Sequence, residues 1–129
     1  MAFTSKILLE RLSTFANKCR VLTERLPKNS HNVIYCNQIN RSSSSPGANY
    51  IEAIGASSSK EFILRLRICR KELKESDYWL DLIRTSNSNI PLAVKEVEYL
   101  KKEADELIRI FTSSIITSEK NNKIKKFSK

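Results

Sequence analysis

Any catalytic or metal chemistry in this 129-residue chain would have to start from three cysteines, one histidine and its acidic residues. Cys19, Cys36 and Cys69 stand 17 and 33 residues apart. That is an odd number at spacings that suit a reducing environment better than a disulfide framework. A thiol nucleophile needs an activating partner, and Cys19 and Cys69 fall on apolar seams instead. His31 has no Cys or His at a ligand spacing, so no zinc site is expected. No glycine-rich phosphate loop and no Gly-x-Ser-x-Gly elbow occurs, and no pair of carboxylates with a poised base is evident. The residues therefore point away from an enzyme, with no cofactor, no metal and no small-molecule substrate expected.

Charge offers a different chemistry. The formal net charge is +9, a field that attracts polyanions. Five of the lysines, Lys120, Lys123, Lys125, Lys126 and Lys129, lie in the last ten residues, which contain no Asp or Glu. Residues 1–119 are expected to form the domain, with 120–129 as a Lys-rich disordered tail. The start, MAFTSKILLERL, has no sustained apolar run before Glu10 and Arg11. It reads as neither a secretory signal nor a membrane span, and the cytoplasm is the expected compartment with no membrane partner.

The elements that must carry these groups are helices. Only two glycines and three prolines punctuate the chain. In the first segment Leu8, Leu12, Phe15, Cys19, Leu22 and Leu26 recur at alternating intervals of four and three, lining one side of a helix that Thr4 or Ser5 caps and Pro27 stops. Phe62, Leu66, Cys69, Leu73, Ser76, Leu80 and Ile83 repeat the pattern from about Ser58 to Thr85. Ser58 or Ser59 serves as N-cap, with Glu61 in the first turn. A last segment begins after Asn89 with Pro91 in its first turn; it carries Ala93, Val97, Leu100, Ala104, Leu107 and Phe111, broadened by Val94, Ile108 and Ile115. The segment from Ser30 to Ile54 is the exception. Propensity would break it in its polar middle, Asn37 to Gly47, which includes four serines in a row and Pro46. A kinked helix is expected there, because a structureless run of that length is unusual inside a compact domain. Four helices of about 22 to 28 residues joined by short connections make an all-α, up-down-up-down four-helix bundle.

Heptad positions in the third segment sort its surface. Lys60, Arg67 and Lys74 form an outward row with Lys71 beside it, suited to tracking phosphates together with Lys123, Lys125 and Lys126, although an outward basic row is also ordinary solvated surface. Leu64, Ile68, Tyr78, Trp79 and Leu82 lie off the central seam and exceed what a narrow core needs. They supply either an oligomer interface or a wider intramolecular core. Gln38, Arg41, Asn49 and Glu52 form a polar group in the second segment, read as a structural network in which Arg41 pairs with Glu52 across a turn or a subunit boundary.

The stretch from Gln38 to Ile83 resembles the signature region of the 23S rRNA intervening-sequence four-helix-bundle proteins. Its carriers are the Gln-x-x-Arg-Ser start at Gln38, Arg41 and Ser42, the run Gly47, Ala48, Asn49, Tyr50, Glu52 and Ala53, then Phe62, Ile63, Lys71 and Glu72, and Tyr78, Trp79 and Leu80. Pro46 departs from the pattern, standing where many relatives carry an aliphatic residue. The resemblance implies a continuous second helix and a homo-oligomer, with the pentamer as the family precedent, in a family whose biochemical role is unsettled; RNA or a nucleoprotein as partner is expected from the basic charge. Basic accessory bundles of diversity-generating retroelements, related to this family, bind nucleic acid and a reverse transcriptase. A self-assembling interaction module without nucleic acid, or such a retroelement accessory protein, is the alternative.

Overall fold

The computed structural model describes residues 4–127, with side chains through 123. Helix α1 spans Ser5–Glu24, α2 Ser30–Ile54, α3 Ser59–Ser86 and α4 Pro91–Phe127. Each start has a physical cause. The Thr4 hydroxyl accepts from the Ile7 N–H at 3.1 Å, the Asn29 side chain from the Asn32 N–H at 2.9 Å, and the Ser58 hydroxyl from the Glu61 N–H at 3.1 Å. Pro91 opens α4, where its missing N–H costs nothing. The chain leaves α1 at Glu24, ahead of Pro27, because proline disfavours helical geometry in the residue before it.

α2 is one helix with Pro46 inside it. Proline has no N–H for the Ser42 carbonyl, yet the serine run is helical because its neighbours receive it. Ser42, Ser43 and Pro46 are buried, and the Ser42 and Ser76 hydroxyls meet at 2.8 Å across the α2/α3 interface. Ser76 also donates to the Glu72 carbonyl, and Ser44 turns back onto the Asn40 carbonyl. The small side chains let two backbones approach, and each buried hydroxyl in this pair has a partner.

α4 is longer than its neighbours at 37 residues, against the expected limit of about 28 for a helix of this bundle. Its helical backbone continues through Phe127. Ser118, Glu119 and Lys120 continue the helix without a Gly or Pro to interrupt it.

α1 packs on α2 and α4, and α3 on α2 and α4, while the diagonal pairs stay apart among the described residues. This is the up-down-up-down four-helix bundle. The three apolar seams are buried together: Leu12, Phe15 and Leu22 from α1, Leu66, Leu73 and Leu80 from α3, and Val97, Leu107 and Phe111 from α4. α2 contributes Ile39, Tyr50 and Ala53, and the Tyr50 ring meets Phe111 edge-on at 5.8 Å. Burial of each Leu, Ile, Val or Phe side chain among these stabilises by about 1.5–3 kcal/mol. Polar ties close the seams from outside. Arg11 of α1 donates to Glu103 of α4 at 2.6 Å, and Lys101 of α4 sits 2.8 Å from both Asp77 and Asp81 of α3. Burial works against the Lys101 charge, but the two carboxylates outweigh it and hold its pKa above the ordinary lysine value.

Candidate nucleic-acid and assembly surfaces

The outward face of α3 carries Lys60, Arg67, Lys71 and Lys74, all exposed. Arg67 reaches Glu119 of α4 at 3.2 Å, so one member of the row is partly neutralised. Lys60, Lys71 and Lys74 make no ion pair among the described residues. Lys123 is exposed on α4; the side chains of Lys125 and Lys126 lie outside the described residues.

Antiparallel packing adds what the row alone does not contain. From Ser59 to Lys74, α3 carries six basic residues against two acidic ones, and from Leu107 to Phe127, α4 carries five against one. These two stretches lie side by side, because Arg67 meets Glu119 and Arg70 donates to Thr112. The other halves, Glu75–Ser86 and Pro91–Glu106, are net acidic, and much of that negative charge is used internally by Arg11, Arg25 and Lys101. The α3/α4 side is thus polarised along its length, net basic where the start of α3 meets the end of α4 and net acidic at the other end. The spacing of α3 alone aligns Lys60, Arg67, Lys71 and Lys74; Arg70, bonded to Thr112, and Arg109, paired with Asp105 at 3.1 Å, come to the same end only through the pairing of two helices.

The five apolar residues set aside as surplus divide. Leu64 and Tyr78 are 53% and 54% exposed. Ile68, Trp79 and Leu82 are half-buried, and Trp79 packs against the core while its indole N–H donates to Glu75 at 3.0 Å. Tyr78 meets Trp79 edge-on at 5.3 Å, and Tyr35 and His31 of α2 extend the aromatic run, with centroid separations of 6.2 and 6.1 Å. His31 is thus a member of an aromatic edge, next to the exposed Ile34 of α2.

The polar group in α2 is not one network. Arg41 bonds Gln38 and reaches across to Glu72 at 3.1 Å and to Glu75 of α3. Asn49 binds Ser45 behind it and accepts from Arg65 of α3 at 3.1 Å. Glu52 is exposed and does not pair with Arg41. Eleven residues of helix separate the two by about 16 Å along the axis, far beyond side-chain reach.

Burial pushes the Cys19 and Cys69 thiols up to about 12, and Cys36 is shifted in the same direction, so none is poised as a thiolate. Among the described residues no cluster of His, Cys, Asp and Glu could hold a metal ion, and no helix is long and apolar enough to cross a membrane.

A family model described as 23S rRNA-intervening sequence protein matches residues 7–113. A crystal structure of a protein of unknown function from the S23 ribosomal protein family of Bacteroides thetaiotaomicron VPI-5482 is similar in fold and sequence. Its TM-score is 0.74 at 29% identity, over 84% of this chain and 97% of that one. No curated protein matches the chain.

Proposed function

From the premise that this chain belongs to the 23S rRNA-intervening sequence protein family, we propose that it is a non-enzymatic, self-associating bundle whose basic end contacts RNA or a nucleoprotein. The observation that carries this reading is the gathering of basic residues where the start of α3 lies against the end of α4, with Lys60, Lys71 and Lys74 outside any ion pair among the described residues. Lys60, Lys71 and Lys74 project from a rigid helix, so phosphates can be met without ordering a loop first. Such contacts release counterions and make binding salt-sensitive. Self-association is supported by the exposed Leu64 and Tyr78 beside the half-buried Ile68, Trp79 and Leu82, more apolar surface than an isolated helix face needs.

Titration of labelled RNA at about 50 and 200 mM salt tests the reading. The triple variant Lys60→Glu/Lys71→Glu/Lys74→Glu should bind far more weakly and with a shallower salt slope. Negligible affinity of the wild-type chain at low salt, or affinity indifferent to the triple reversal, would leave the second reading: a self-assembling interaction module in which the positive charge serves solubility. That reading is favoured by the aromatic edge, which has no obvious use for an anion.

A further inference from the structure

Apart from the surfaces above, α1 and α4 make the least extensive of the four helix contacts, and a groove of about 440 Å³ opens between them. Its floor is apolar: Val21 of α1 with Leu92, Tyr99 and Leu100 of α4. Leu92 and Tyr99 are 57% and 55% exposed. They stand seven residues apart on α4, two helical turns or about 10 Å, which is the spacing at which an amphipathic helix presents successive anchors. The rim is cationic. Lys18 lies 4.4 Å from the centre of the Tyr99 ring and donates to its hydroxyl at 3.0 Å, and Lys95 makes no ion pair among the described residues. Arg25 is paired with Glu96, so the groove keeps an excess of positive charge, and the amino-terminal end of α4 adds to it.

We propose that this groove docks an amphipathic helix with an acidic polar edge, supplied by a different protein. A nucleic-acid strand lacks the aliphatic side chains that would fill a floor of Val21, Leu92 and Leu100. A second copy of this chain lacks the charge. Among the described residues, all its acidic residues except Glu10, Glu52, Glu61 and Glu98 are engaged in ion pairs, and those four lie one on each helix. No helix of the bundle therefore offers an acidic stripe, whereas an acidic partner is attracted by the overall +9 charge as well as by the rim.

The experiment uses two labelled peptides on the full chain: one with leucines at i, i+3, i+4 and i+7 flanked by glutamates, the other with every glutamate replaced by lysine. By fluorescence anisotropy the glutamate peptide should bind at least about tenfold more tightly than the lysine peptide. Leu92→Asp and Lys95→Glu, both at exposed positions, should each weaken it about tenfold with the thermal melt unchanged. Leu64→Asp on α3 should not. Equal binding of the two peptides, absence of saturable binding, or an equal loss with Leu64→Asp overturns the proposal. So does a fall in particle mass of Leu92→Asp by light scattering, which would assign the groove to another copy, or competition between peptide and labelled RNA that Leu92→Asp abolishes.

Discussion

Asn32, near the start of α2, and Asn87, just after α3, face each other as a closed amide pair: each side-chain amide donates to the other's oxygen at 2.9 Å. Both are almost fully buried, at 1% and 2% exposure. The second amide hydrogens are also used, Asn32 on the Pro27 carbonyl and Asn87 on the Ile83 carbonyl at 2.8 Å. One polar pair thereby ties the α1–α2 connection to the end of α3.

Removing either partner strands the other amide in the interior, at a cost of about 1–3 kcal/mol per unsatisfied group. Asn32→Ala and Asn87→Ala should each lower the melting temperature substantially. The double variant should lose much less than the sum, because the second substitution removes a group already orphaned. Strict additivity in urea melts would mean that the two amides do not act as a unit.

Pro46→Ala sets two effects against each other. A mid-helix proline is about 3 kcal/mol less favourable than alanine, and the new N–H gains the Ser42 carbonyl as acceptor. Against this, two buried methylenes are lost at about 0.8 kcal/mol each. The helix term is larger, so the variant should be more stable by about 1 kcal/mol. A lowered denaturation midpoint would show that the packing around Pro46 outweighs its backbone cost.

Tyr78 and Trp79 are adjacent in sequence but not in role. Tyr78→Glu changes an exposed side chain and should leave the unfolding free energy within about 0.5 kcal/mol while reducing self-association in light scattering. Trp79→Glu removes a side chain packed on the core and bonded to Glu75, and should destabilise the fold itself by roughly 3 kcal/mol or more. Identical melting curves for the two variants would contradict this division.

The buried thiols give a pH dependence with a definite sign. Burial raises the folded-state pKa of Cys19 and Cys69 from 9.0 to about 12. Between those values the unfolded chain has lost protons that the folded chain keeps, so stability falls as pH rises from about 9 toward about 12. Below the lower value this contribution is fully present. Cys19→Ala should flatten the alkaline decline relative to wild type, as read from urea melts at pH 8 and pH 10.5. In native-state thiol labelling Cys36 should react first, being the least enclosed of the three. An unchanged alkaline slope in the variant would remove the buried thiol as its cause.

The sequence by itself determined where three of the helices begin and which way they face. Intervals of three and four place Leu8 through Leu26, Phe62 through Ile83 and Ala93 through Phe111 on single stripes, and these residues are buried or nearly so. Periodicity is a property of one helix, and caps such as Thr4 and Ser58 act within a few residues, so both are legible along the chain. What depended on two helices at once was decided only by the tertiary structure. The serine run and Pro46 are helical because Ser76 and the α3 surface accept them, not because of local propensity. Arg41 finds Glu72 and Glu75 across an interface rather than Glu52 along its own helix. The cation row of α3 becomes one end of a polarised side only when the basic end of α4 is laid against it, and nothing in the spacing of Asn32 and Asn87 announces that they meet. At the Lys-rich end the helical backbone of α4 continues to Phe127. Local patterning fixes which side of a helix is apolar; which polar groups confront each other is set by packing, over distances that no single-helix period encodes.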